Sequence, residues 1–315
     1  MTIKRMPLPD GPNEEWRELR RKHVTASILG ALPAFHCHDY RTPLRIYMEK
    51  RGLEIPERET KVMRSGRIFE SSVSKAVAEE RPEWHLEQVG AYYFDEDTRT
   101  GATPDYFIFG DPRGRGVLQA KTVDREKYEV DWLNGTLAPR WIELQVRLET
   151  MMTGAHFGAI AALTIERYDP KLGLIDVPRD AAAEEEIKEA IRSFWHDVEV
   201  GNEPDPIFGD DSEIIKRLTD KESAGAVLDA RGHNDLPELL AQRAALKARM
   251  RKDDERCVEI DDEIRFRMGT AEKIVGLKGW SVTYRTRHVA GYTVEPRTGR
   301  QLDIRDHRPP EERPT

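Results

Sequence analysis

Apolar positions recur at helical spacing in some stretches of the chain and alternate with polar ones in others, and the two periods divide it into an ordered series of elements. Short helices are expected over Glu14–Lys22, over Thr25–Leu32 with Thr25 as N-cap, and over Arg45–Lys50 after a Thr42-Pro43 start. A longer helix over Lys61–Glu80 must stop before Pro82, because proline clashes with a helical residue in front of it. Three strand-like runs follow, Trp84–Phe94, Ala102–Phe109 and Gly116–Val123, separated by the turn-rich segments Asp95–Arg99 and Gly110–Arg115. They read as an antiparallel meander.

An amphipathic helix over Arg140–Thr153, with Ile142, Val146 and Met152 among its apolar positions, leads into a buried strand, His156–Ile165. Leu172–Val177 is expected to pair with it through the Tyr168-Asp169-Pro170 turn, and helices cover Ala181–Val200 and Glu213–Leu218. The order helix, three strands, helix, strand predicts an α/β fold: a mixed central sheet flanked by helices. Gly201–Asp211 and Gly232–Pro237 have the composition of linkers. Between Leu236 and Met268 the pattern is a charged helix or helical hairpin with Leu239, Leu240, Leu246, Met250, Val258, Ile260 and Ile264 as apolar positions. Their spacing drifts off a strict heptad, which favours an element lying on the body over a free coiled coil. Trp280–Arg287 and Tyr292–Ile304 alternate like a small β-hairpin, and the charged, proline-rich tail from Asp306 is expected to be disordered. The chain thus reads as a main domain over 1–220, a helix and hairpin extension over 221–305 and a tail over 306–315.

Composition narrows the class. With 38% hydrophobic and 34% charged residues, 315 residues suffice for a sizeable core. The longest apolar run, Phe157–Ile165, is too short to cross a bilayer, and Met1–Pro12 lacks the apolar segment of a secretion signal, so a cytoplasmic protein is expected. Cys37 and Cys257 stand far apart with no CxxC partner, which argues against a disulfide framework, a zinc site or an iron–sulfur cluster. The net charge of −8 is unevenly spread: Asp180–Glu213 holds twelve acids against Lys188 and Arg192, whereas Met1–Gly52 holds ten Lys or Arg against six Asp or Glu. The amino-terminal part is therefore suited to phosphates, and the acidic stretch reads as a helix surface facing water. His23, His36 and His38 have no Cys or Asp spacing to support a metal site and read as structural or solvated. Trp16 reads as a core anchor.

The chemistry concentrates in Thr103-Pro104-Asp105, followed fourteen residues later by Gln119-Ala120-Lys121, with Gly66-Arg67-Ile68-Phe69-Glu70 upstream and Gln145 downstream. On a strand, Gln119 and Lys121 share one face, and Asp105 on an antiparallel neighbour can sit beside them. A carboxylate, a second oxygen ligand and a lysine meeting at one sheet edge suit phosphodiester hydrolysis with Mg2+. The metal polarises the phosphate and acidifies a bound water, and the ammonium orients that water or offsets charge in the transition state.

In these residues the sequence resembles a known family. Asp105, Gln119 and Lys121 resemble the signature of the PD-(D/E)XK nucleases. The chain from Trp16 to Ile165 resembles their lambda-exonuclease and YqaJ-type viral recombinase branch. Trp16-Arg17-Glu18-Leu19-Arg20 and Val24-Thr25-Ala26-Ser27 resemble its W-x-x-x-R and I-T-A-S segments, Glu70 its helix glutamate and Gln145 the glutamine on the following helix. The resemblance implies a restriction-endonuclease-like core and a metal held by Asp105, Glu70, Gln119 and the Ala120 backbone carbonyl. It implies that Lys121 and Gln145 order the attacking water, and that Arg20, Thr25 and Ser27 grip a 5′-phosphate. It also implies Mg2+ with Mn2+ able to substitute, double-stranded DNA ends as substrate, a homotrimer, and a phage single-strand annealing protein as partner.

Gln119 departs from the family's usual acid. A neutral amide removes one negative charge, and Glu143 or Glu149 on the following helix could supply it, depending on that helix's rotation. Three functions compete: a 5′-to-3′ exonuclease on linear duplex DNA, a catalytically weak or inactive protein that binds DNA ends or a recombination partner, and a restriction-type endonuclease that cuts closed circles. A Cas4-like nuclease is disfavoured by the missing cluster cysteines.

Overall fold

The computed structural model describes residues 2–9, 11, 13–53, 60–166, 169–221, 223, 225–232, 235–277, 279–286 and 304. The chain divides into two compact units, 1–217 and 218–315.

The first unit runs β1 (Lys4–Pro7), α1 (Glu14–Lys22), β2 (Val24–Thr25), a 3-10 helix (Ala26–Ala31), α2 (Pro43–Lys50), α3 (Lys61–Glu80), β3 (His85–Gln88), β4 (Ala91–Asp95), β5 (Thr100–Ala102), β6 (Tyr106–Phe109), β7 (Gly116–Thr122), α4 (Arg125–Val130), a 3-10 turn (Leu133–Gly135), α5 (Arg140–Thr153), β8 (Phe157–Glu166), β9 (Asp169–Pro178), α6 (Ala181–Val200) and α7 (Ser212–Leu218). Side-chain caps mark several helix starts: Asn13 accepts from Trp16 N, Thr42 from Arg45 N and Thr60 from Met63 N. Thr25, expected to cap the next helix, makes no capping bond, and the segment behind it is a 3-10 turn.

A five-stranded mixed sheet in the order β3-β6-β7-β8-β9 is parallel only between β7 and β8, and a four-stranded sheet has the order β1-β4-β5-β2. The mixed α/β class expected from the pattern is therefore what the chain adopts. The simple meander is not. The runs 84–94 and 102–109 each break in two and serve both sheets. Gly90 takes φ +49° between β3 and β4, and Pro104, which has no N–H for a ladder, stands between β5 and β6. The two corners are tied together by Val89 N donating to the Asp105 carbonyl at 3.0 Å. β9 also begins earlier than expected, at Asp169, and pairs with β8 over ten residues.

Helix α5 organises the unit. Ile142 and Val146 pack with Tyr128, Trp132 and Ile160, whereas Leu144, Leu148 and Met152 pack with the 3-10 segment and with Ile187, Ile191 and Phe194 of α6. A third stripe, Trp141, Gln145 and Glu149, repeats every four residues and so shares one helix face. The acidic stretch is not wholly a solvated surface: Asp211 is buried, accepting from Thr42 Oγ1 and Ile207 N, and Asp180 caps α6.

The second unit contains a 3-10 turn (Ala230–Gly232), α8 (Leu236–Met268) and the antiparallel pair β10 (Lys273–Ile274) and β11 (Val282–Thr283). No Gly or Pro interrupts the sequence between Glu238 and Met268, so a single helix forms and the hairpin alternative fails. Its Leu239, Leu240, Leu246, Met250, Val258 and Ile260 are exposed. Within the described part of the strand expected over 280–287, only Val282–Thr283 is extended in a ladder, and it pairs with 273–274. Residues 292–303 of its expected partner and the tail lie outside the described residues. Among the described residues no helix is long and apolar enough to cross a membrane.

Candidate active site

Asp105 lies at the corner where the chain leaves the four-stranded sheet for the five-stranded one, and it meets the centre of β7. Gln119 Nε2 donates to Asp105 Oδ2 at 2.5 Å, and Ala120 N donates to the same oxygen at 2.9 Å. Gln145, on α5, donates through Nε2 to Gln119 Oε1 at 2.9 Å and to Glu149 Oε1 at 2.8 Å, and its Oε1 accepts from Lys121 Nζ at 3.3 Å. Asp105, Gln119, Ala120, Lys121 and Gln145 thus form one hydrogen-bonded network. Lys121 also lies 5.6 Å from the ring centre of Trp141, so the apolar end of the α5 stripe supports its ammonium. Glu70, half-buried on α3, is joined to this group electrostatically: its charge raises the Asp105 carboxyl, and the Tyr106 hydroxyl bonds to Glu70 and Ser74.

Desolvation dominates the site's electrostatics. Asp105 is partly accessible as a residue, yet burial of its carboxyl pushes it up to about 7, against the opposing pull of Lys121. Glu149 is 1% exposed, and burial, followed by the charge of Asp105, raises its carboxyl well above the usual range. Its Oε2 has no hydrogen-bond partner among the described residues.

A hard divalent cation takes oxygen ligands. Among the described residues no three His, Cys, Asp or Glu side chains are grouped closely enough to form a metal site unaided. What the site offers is Asp105, the orphaned oxygen of Glu149, Glu70 nearby and the amide of Gln119. This oxygen-rich set, free of sulfur and imidazole, has more carboxylates than Lys121 alone balances, and it fits Mg2+ in chemistry. Gln119 currently meets Asp105 with its N–H2 end; turning its oxygen inward needs a cation or proton between the two groups.

The second predicted group also assembles. Arg20 donates to Ser27 Oγ at 3.0 Å, and Ser27 Oγ lies 3.2 Å from the buried Thr25 Oγ1. Arg20 stacks over Trp16, 4.5 Å from its ring centre, and Trp16, expected in the core, is only partly buried and donates to Thr103 Oγ1 at 3.3 Å. Two supports were not foreseen. His38 Nε2 lies 3.1 Å from the Ser27 carbonyl, and its Nδ1 accepts from Tyr40 N at 3.1 Å, which assigns the proton to Nε2. Burial lowers this imidazole to about 4, so it remains neutral, and its ring lies 4.6 Å from that of Trp141. Lys50 donates to the Arg20 carbonyl at 2.7 Å. Neither spacing nor composition marks His38 or Lys50 as part of this group. The i, i+4 repeat of Trp141, Gln145 and Glu149 was the available signal for the α5 face.

Lys50 carries a measurable consequence. Burial, reinforced by Arg20, Arg41 and Arg99 against the opposing Glu49, lowers its ammonium to about 7. The unfolded chain, with an ordinary lysine at 10.5, binds that proton more tightly, so folding stability rises between pH 7 and about 10.5. The melting temperature relative to Lys50→Met is expected to climb from pH 7 to pH 10; a constant difference would refute the weakened hold of the buried Lys50 on its proton.

Residues 15–156 match the YqaJ-like viral recombinase domain. This is the family to which the sequence motifs pointed. The matched segment contains both groups, from Arg20 on α1 to Glu149 on α5, and ends at the entrance to β8. No curated protein matches the chain. Among solved structures, the alkaline exonuclease LHK-Exo from Laribacter hongkongensis is similar at 17% identity and TM-score 0.48, covering 66% of this chain and 98% of its own. Its complex with dAMP gives 19% identity, the same coverage and TM-score 0.48. A phage-related exonuclease from Haemophilus somnus 129PT gives 12% identity and TM-score 0.42, covering 56% of this chain and 93% of its own.

Proposed function

We propose that the chain is a metal-dependent DNA exonuclease, using Mg2+ with Mn2+ as substitute, that hydrolyses one strand of linear duplex DNA in the 5′-to-3′ direction from a 5′-phosphorylated end. The observation that carries this reading is the single network joining Asp105, Gln119, Ala120, Lys121 and Gln145 inside the YqaJ-like domain. In it Asp105, Glu70, Gln119 and the Ala120 carbonyl would hold the cation, which supplies charge to polarise the scissile phosphate and acidify a water. Lys121, oriented by Gln145, holds the attacking water or offsets charge developing on the phosphate. Arg20, Ser27 and Thr25 take the terminal 5′-phosphate, for which a guanidinium and hydroxyl donors are suited. In the same reading the chain acts as a homo-oligomer, a trimer by family analogy, delivering single strands to an annealing partner in the cytoplasm.

A second reading, a nuclease-like protein that binds DNA ends without cutting, is favoured by Gln119, whose neutral amide faces Asp105 with donors. The test is digestion of linear duplex DNA with and without a 5′-phosphate, in Mg2+ and in EDTA, beside a closed circle. Loss of the phosphorylated linear strand alone, and only with metal, is the expected result. Cutting of the circle points to an endonuclease, and binding without cutting to the second reading.

A further inference from the structure

Buried carboxylates are seldom left with an unmet oxygen, because desolvating an unpaired charge is costly. Glu149 is such a case in the core of the YqaJ-like domain: 1% exposed, with Oε1 held by Gln145 at 2.8 Å and Oε2 without a partner among the described residues. Its helix gives the position meaning. Gln145 and Glu149 lie one turn apart on the α5 face turned to β7, and the two protons of the Gln145 amide bridge Glu149 to Gln119. The other candidate acid of that helix, Glu143, lies off this face and pairs with Arg147 at 2.8 Å.

From this geometry we infer that Glu149 is a cation ligand of the site, supplying from α5 the carboxylate that Gln119 does not supply from β7. The inference rests on reading the site as a divalent-cation nuclease. A charge moved from strand to helix leaves the site with the same number of acids, held by a different element. Gln145 acts as a positioning residue that keeps the carboxylate turned toward Gln119 and Asp105.

The test is Mn2+ binding to the full chain, followed by calorimetric titration and by the metal-induced rise in melting temperature. Glu149→Gln is expected to bind Mn2+ roughly 10- to 100-fold more weakly. Its own melting temperature without metal is expected to be unchanged or higher, since a carboxyl whose ionisation burial opposes has gone. Glu143→Gln should bind as the unaltered protein does. In the double variant Gln119→Glu/Glu149→Gln the strand carboxylate returns, and affinity is expected within about threefold of the original, a difference worth only about 0.7 kcal/mol. Unaltered Mn2+ affinity in Glu149→Gln overturns the inference and leaves the nuclease reading standing. Absence of Mn2+ binding and of DNA digestion in the unaltered protein overturns both. Should Glu149→Gln not fold, Glu149→Asp decides: the shorter side chain keeps the carboxylate but draws it back by one methylene, so weakened Mn2+ binding supports the inference and unaltered binding refutes it.

Discussion

Replacing Asp105 with Asn is expected to lower DNA digestion by about a thousandfold, in the range found when one preorganised electrostatic group is removed from a transition state. The loss should be chemical, without unfolding. Asn keeps the shape of Asp, and its carbonyl oxygen can still accept from Ala120 N, which reaches Asp105 Oδ2 at 2.9 Å. The charge removed is one that burial already opposes, with Glu70 adding to that opposition. Metal-free Asp105→Asn should therefore melt no lower than the original protein while its initial rate on linear duplex DNA collapses. A variant with normal melting and undiminished rate would remove Asp105 from the chemistry. One that melted lower would show the carboxylate to be structural instead.

Phe157→Ala should produce the largest loss of stability. Phe157 is 1% exposed at the start of β8, packs against Trp84 with ring centres 6.2 Å apart, and carries the Arg113 guanidinium 3.7 Å from its ring centre. Gly116, its register partner on β7, has no room for a Cβ, which would stand 2.5 Å from the Phe157 ring. The ring therefore fills the space that the missing Cβ of Gly116 leaves open. A buried Phe→Ala change costs about 3–5 kcal/mol against a total of about 5–15. For a unit of this size the melting temperature should fall by roughly 10 °C. A fall below about 3 °C in thermal unfolding would mean that the Gly116–Phe157 contact does not hold the sheet as described.

Long periodic segments were legible from the chain alone, and for a physical reason. Lys61–Glu80, Arg140–Thr153, Ala181–Val200 and Leu236–Met268 have their apolar positions and their stops written locally, and each forms with the expected bounds. The strands 84–94 and 102–109 were misread because alternation within a run cannot say to which sheet each half belongs. Here the breaks at Gly90 and Pro104 were visible, but which sheet each half joins is decided by pairing with β1 and β7. The site divides in the same way. Asp105, Gln119 and Lys121 were found by spacing, and their meeting follows from the strand pairing. Whether Glu143 or Glu149 faces β7 depends on the rotation of α5, which is set by its packing against the residues of two other cores. His38 and Lys50 reach Ser27 and Arg20 through folds of the chain that no local pattern records.

The packing of α5 into two cores at once has a consequence for how the site persists. Residues on a surface loop can leave their places while the rest of the protein stays intact, because the loop opens at little cost. Trp141, Gln145 and Glu149 have no such freedom, since the helix that bears them also supplies Ile142 and Val146 to one core and Leu144, Leu148 and Met152 to another. Freeing them means pulling both cores apart. The alignment of the α5 side chains is therefore protected by nearly the whole folding free energy of the unit: a substitution deep in either core can misalign the site at a distance, and chain segments that yield to DNA must be sought elsewhere than on this helix.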